Sequence, residues 1–163
     1  MEKMRRFERE ILLPEIKSVI ADCHVVHIGL NDSPFPYVVP TNYGYEWRDE
    51  TLILYSHGAR QGKKRRLIAA DPHVCIQIDD GSTLMPAGEQ APDYSAAYRS
   101  VIGFGIAELI ADPAEKRHAL DLLMQHETGR PLASFAPLAD HQVAGVGVIK
   151  ITLTELTGKA HTA

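Results

Sequence analysis

The sequence is poor in cysteine and has no long apolar run, and each shortage excludes a class of protein. Two cysteines, Cys23 and Cys75, cannot build a disulfide framework, and no CxxC spacing is present. Such usage fits a reducing compartment, and a cytoplasmic location is expected. No apolar stretch approaches the ~18 residues a membrane helix requires. The charged opening MEKMRRFERE has no hydrophobic signal core, so neither membrane insertion nor export is expected. Excess positive charge is missing too. A net charge of −4 gives no global field to recruit phosphate backbones, which argues against general nucleic-acid binding. Internal repeats and low-complexity tracts are absent. What remains is a chain of 163 residues, 45% apolar and 23% charged, the make-up of one globular domain over residues 1–163.

Hydrophobic periodicity changes along the chain. Ile16, Val19, Ile20 and Cys23 recur at i, i+3, i+4 and i+7, and Pro14 suits a first helical turn, which predicts a helix over Leu13–Asp22. Runs rich in β-branched and aromatic residues follow at His24–Leu30, Tyr37–Tyr43 and Thr51–His57. Turn residues Asn31-Asp32-Ser33-Pro34 and Arg48-Asp49-Glu50 separate them, so they read as an antiparallel meander. Pro40 demotes the second run to an edge, a strand end or a bulge. Further along, the pattern predicts a basic helix over Gly62–Ala70, a strand over His73–Asp79 and a loop over Gly81–Asp93. A long strand over Ser100–Ala111, a helix over Pro113–His126 and a last strand over Gly145–Leu156 complete the chain. Six strands and three helices without βαβ alternation exclude a Rossmann fold. They predict a mainly β fold, an antiparallel barrel with helices at its ends.

Three stretches place polar groups where such a barrel opens. Tyr55-Ser56-His57-Gly58-Ala59-Arg60-Gln61-Gly62-Lys63-Lys64 ends a strand in hydroxyl and imidazole groups, turns through glycine and opens a helix with adjacent lysines. Positive charge in a first helical turn conflicts with the helix dipole. The conflict disappears if an anion sits on the unpaired N–H groups there. A phosphate cradle and a solvated basic face are the two readings, and Arg65 and Arg66 read as solvated or interface residues. A Walker A loop is excluded, because Gly58 to Lys64 is one residue short and no Ser or Thr follows to hold magnesium. In Val38-Val39-Pro40-Thr41-Asn42-Tyr43, a hydroxyl and a carboxamide either bond the polar edge of a planar heterocycle or end a strand. Arg99 and Ser100 precede the glycine-punctuated Val101-Ile102-Gly103-Phe104-Gly105, a strand entry with a bend or a cation and hydroxyl for a ligand. Eight histidines show no HxxxH or HExxH spacing, so no metal site is expected. Cys23 and Cys75 lie in apolar runs and read as core packing, and no G-x-S-x-G nucleophile elbow is present.

In this order and spacing, the pieces resemble the pyridoxamine 5′-phosphate oxidase-like FMN-binding split barrels, in particular their nitroimidazole-resistance (Nim-type) branch. Met4-Arg5-Arg6, Tyr37-Val38-Val39-Pro40, Leu54-Tyr55 with His57-Gly58-Ala59, Gly62-Lys63-Lys64, Tyr98 to Gly105 and Leu156-Thr157-Gly158-Lys159 carry the resemblance over nearly the whole chain. It implies a six-stranded split β-barrel with flanking helices, and a homodimer with FMN at the subunit interface. The activity implied is that of an oxidoreductase on a small-molecule substrate, nitro-aromatic or heterocyclic, with NAD(P)H as a donor. Carried over, Lys63 and Lys64 would hold the FMN phosphate with Ser56 and His57. Val39, Pro40, Thr41, Asn42 and Tyr43 would lie along the isoalloxazine or ribityl chain. Arg99, Ser100 and Val101 would approach from the dimer mate or flank the same site. The alternative, from another class, is a flavin- or haem-binding protein without turnover of its own. Two departures narrow the resemblance. No Arg-Leu-x-Pro segment, the substrate grip of pyridoxamine phosphate oxidases, follows Thr157, and Pro92-Asp93-Tyr94 stands where Nim-type chains often carry a cysteine.

Overall fold

The computed structural model describes residues 5–162; Met4, quoted above, lies outside the described residues. In chain order the elements are β1 (Glu10–Ile11), α1 (Leu13–Asp22), β2 (Val25–Leu30), β3 (Tyr37–Asn42), β4 (Gly44–Arg48) and β5 (Thr51–Gly58). They continue with α2 (Lys63–Ala70), β6 (His73–Met85), β7 (Ser95–Ile110), α3 (Pro113–Thr128), α4 (Asp140–Gly145) and β8 (Gly147–His161). The strands form one antiparallel sheet in the order β3-β2-β6-β7-β8-β5-β4, with β1 added to β8. The sheet curls without closing. Edge strand β3, which carries Pro40, comes back against β5 and leaves a seam between them.

Burial explains the runs that form these strands. Leu52 and Leu54 of β5 point into the main core with Ile149 and Ile151 of β8. Ile53 and Tyr55 point the other way into a second core under α3, with Ile110, Ala119 and Val148. A strand covered on both faces needs a continuous apolar run, and Leu52 to Tyr55 is one. Helix α1 buries Ile16, Val19 and Ile20 against the barrel, the stripe its spacing predicts. Helix α3 starts on Asp112, whose carboxylate accepts from the Glu115 N–H at 2.8 Å, and stops at Gly129 with φ 70°.

The strand count differs from the six expected. Gly44–Arg48, which follows the second run and lies outside every expected strand, pairs with Thr51–Tyr55 as a separate hairpin arm, with Asp49 at φ 56° in its turn. The two-residue β1 is too short to leave a periodic signal. The expected loop over Gly81–Asp93 also shortens. Gly81, at φ 78°, sits in a bulge, and Ser82 to Met85 continue β6 in register with Ser95 to Tyr98. Cys23 packs in the core as expected, but Cys75 is half-buried on the outer face of β6, in register with Phe104. No helix among the described residues is long and apolar enough to cross a membrane.

Candidate functional site: a basic cleft at the sheet seam

The seam between β3 and β5 opens into a cleft of about 230 Å³. Tyr37 and Val39 line it from β3, Gly58 and Ala59 from the end of β5, and Gly62, Lys63, Lys64 and Arg65 from the start of α2, with Gly147 and Ile149 of β8 closing the wall. Gly62 caps α2 with φ 143° and no side-chain acceptor, and the first turn holds no acidic residue. The helix therefore enters the cleft with free N–H groups and two lysines, without the usual local anion. A residue with a Cβ is disfavoured at φ 143°, which accounts for glycine at the cap.

The cations lining the cleft are not equivalent. Lys63 Nζ pairs with Asp32 at 2.7 Å and lies 4.5 Å over the Tyr37 ring. Lys64 is half-buried and has no ion-pair or hydrogen-bond partner among the described residues. Burial, then the neighbouring Arg65 charge, holds its ammonium below the usual lysine range. Arg65 is half-buried too, and its guanidinium donates to the Val148 carbonyl at 3.2 Å. On β5, Ser56 is 3% exposed, and its Oγ has no hydrogen-bond partner among the described residues. Its cross-strand neighbour Ile149 lines the cleft, so both side chains share the face toward it. A buried hydroxyl without an acceptor costs on the order of 1–3 kcal/mol unless something supplies one. An orphaned donor, an uncapped helix start and an unpaired ammonium fit a phosphate monoester, whose oxygens are acceptors only and carry the missing charge.

Other expected site residues lie elsewhere. His57 is exposed and points to the opposite face of β5 from Ser56. Pro40 and Asn42 face outward on β3, and Thr41 donates to the Asn42 carbonyl at 3.2 Å. Asn42 Nδ2 donates to the His24 carbonyl at 3.1 Å and to Glu127 at 3.2 Å. Tyr43 is fully buried, its hydroxyl 2.7 Å from the Ile20 carbonyl and 2.8 Å from that of Cys23. Val101 is fully buried in the main core. Arg99 is held by Asp80 at 2.6 Å and Asp22 at 3.1 Å, with Ser18 Oγ at 3.3 Å; Ser100 beside it is half-buried. The stretch of β7 from Arg99 to Ile110 runs roughly 36 Å at ~3.3 Å per residue. Within one chain, then, Val39, Lys63 and Lys64 line the cleft with Ser56 on its face, and Arg99, Ser100 and Val101 sit far along the sheet.

Tyr37, Arg65 and the β8 residues Gly147 and Ile149 are cleft residues that the sequence reading missed. Alternation from Val39 points to Tyr37. Nothing local in the sequence points to β8, because only sheet pairing brings it there.

A family model described as pyridoxamine 5′-phosphate oxidase matches residues 14–160. None of the curated proteins matches the chain. Among solved structures, a candidate 5-nitroimidazole antibiotic resistance protein from Bacteroides thetaiotaomicron is 34% identical, with TM-score 0.78 over 93% of this chain and 86% of that one. A flavocytochrome from Azotobacter vinelandii superposes with TM-score 0.84 at 21% identity, over 99% of this chain and 73% of its own. An FAD-binding protein from Mesorhizobium loti gives TM-score 0.65 at 23% identity, over 94% and 98%. The last two likenesses are of fold alone.

Proposed function

The chain belongs to the pyridoxamine 5′-phosphate oxidase family, and on that premise we propose that it is an FMN-dependent oxidoreductase acting on a small heterocyclic or nitro-aromatic molecule. The observation that carries the proposal is the buried Ser56 hydroxyl, partnerless among the described residues and paired across strands with the cleft residue Ile149, together with the uncapped start of α2 in the same cleft. FMN supplies that site with a dianionic phosphate and supplies the reaction with a two-electron carrier, which no side chain here provides. Ser56 donates its O–H to a phosphate oxygen, and Lys64 provides the counter-charge. The N–H groups after Gly62 complete the grip. Tyr37 and Val39 give the cleft an aromatic and an aliphatic wall, and Lys63, ion-paired with Asp32, lies at the lip over the Tyr37 ring.

A homodimer is part of the same proposal. Ile102 and Phe104 are each 43% exposed and Ile106 36%, every second residue on the outer face of β7, where a monomer would leave an apolar stripe to solvent. Covering this face with a second copy would bring the far end of that copy's β7, with Arg99, Ser100 and Val101, near a flavin that projects from the cleft. Two free thiols support a cytoplasmic setting.

The test is a visible spectrum of the purified protein after incubation with FMN and gel filtration, followed by stopped-flow mixing with NADH and NADPH. Retained flavin bands that bleach with either donor are expected, and Lys64→Ala protein should lose most of the bound flavin. A colourless protein, or a Soret band in place of flavin absorption, overturns the proposal. Flavin that is retained but never reduced supports a binder without turnover.

A further inference from the structure

At the Asn42 end of β3, away from the Tyr37 end that lines the phosphate cleft, the fold assembles a cluster that histidine spacing does not show. His24 sits at the entry to β2, while His126 and Glu127 lie in the last turn of α3. One donor atom from each of the three falls within 4.8 Å of the others. His24 Nδ1 is already 3.4 Å from Glu127 Oε1, and the two imidazoles stack with centroids 4.9 Å apart and planes tilted by 30°.

The surroundings hold these donors in place. His126 Nε2 is 2.7 Å from the Cys23 carbonyl. A carbonyl only accepts, so Nε2 carries the hydrogen and the lone pair of the neutral ring lies on Nδ1. Asn42 Nδ2 donates to Glu127 Oε2 at 3.2 Å, which orients the carboxylate and leaves Oε1 toward His24. The same amide donates to the His24 carbonyl, tying the strand entry to the helix end. Such backbone and amide partners are what orient the side chains around a metal ion.

We propose that His24, His126 and Glu127 bind one divalent transition-metal ion of the zinc class. Two imidazoles and one carboxylate suit zinc, cobalt or nickel; calcium and magnesium need more oxygen donors than this cluster offers. Tetrahedral coordination with ~2.0–2.1 Å bonds puts ligand atoms roughly 3.3 Å apart. The His24–Glu127 pair meets that spacing, and bringing the His126 donor to the same spacing needs side-chain shifts of under ~1.5 Å by the same geometry. Three protein ligands leave a fourth position for water. His126 also borders a cavity of about 400 Å³ lined by Ala21, Tyr45, Leu122 and Gln125, which gives a small molecule room beside the ion. The site is independent of flavin.

Tag-free protein, stripped with EDTA, is titrated with zinc chloride by calorimetry and with cobalt chloride by visible absorption. One equivalent of zinc with micromolar or tighter affinity is expected, together with the intense visible bands of low-coordinate cobalt. His24→Ala, which removes an exposed ring and leaves the core intact, and Glu127→Gln should each weaken zinc binding at least roughly tenfold, and Asn42→Ala by roughly tenfold. His141→Ala, at an exposed histidine outside the cluster, should bind zinc like the parent. No saturable one-to-one uptake, or uptake unchanged in both His24→Ala and Glu127→Gln, overturns the proposal.

Discussion

Ser56 is the residue on which the phosphate reading turns, because its hydroxyl is buried at the expense of water and given nothing in return. Ser56→Ala removes that unmet donor, so the flavin-free protein should melt no lower than the parent. FMN should bind roughly 5- to 10-fold more weakly, the loss of about 1–1.5 kcal/mol for one hydrogen bond. Thermal melts with and without FMN check both halves. Lys64 adds a pH dependence whose sign can be worked out. Burial and Arg65 depress its pKa in the free protein, while a bound phosphate stabilises the ammonium and raises it again. Between the two values binding takes up a proton, so FMN affinity should fall as pH rises through that window. In Lys64→Met protein the alkaline loss should vanish. Fluorescence titrations from neutral to alkaline pH measure it.

At the scale of elements, the sequence was most legible where one face alone is buried. The α1 stripe of Ile16, Val19, Ile20 and Cys23, and the alternation of Ile149, Ile151 and Leu153 in β8, both appear in the core as their periods require. It was least legible at breaks. Gly44 lies outside every predicted strand, yet it opens β4, and its missing side chain lets the α3 backbone at Leu122 and Leu123 pack directly on the strand. Gly44→Ala would place a Cβ against that backbone and should cost about 2–3 kcal/mol, roughly 5–10 °C in Tm. Differential scanning calorimetry is the check. The Gly81 bulge misled in the same way: a left-handed glycine marks a turn in sequence, but here it interrupts pairing for a residue or two and the strands carry on.

At the scale of the molecule, the lysine pair and the strand ahead of it were visible as a basic loop-to-helix junction. The cleft itself was not, because Tyr37 and Ile149 reach it only through sheet pairings remote in sequence. The outer face of β7 was likewise hidden. Ile102, Phe104 and Ile106 look like core residues until the sheet shows that they point away from the barrel interior. If a second copy covers that face, Phe104→Glu buries a charge at the interface. It should convert a dimer of roughly twice the 18.0 kDa chain mass into monomer while leaving the fold intact. Sedimentation velocity with far-UV circular dichroism distinguishes dissociation from unfolding.

Phosphate binding at the seam between β3 and β5 is isolated by comparing riboflavin with FMN. Titrated under identical conditions, the parent protein should bind FMN at least roughly 100-fold more tightly than riboflavin, as expected for two or more charge-assisted contacts. Lys64→Ala should erase most of that preference while leaving riboflavin binding unchanged. Equal affinity for the two flavins in the parent protein would contradict the account.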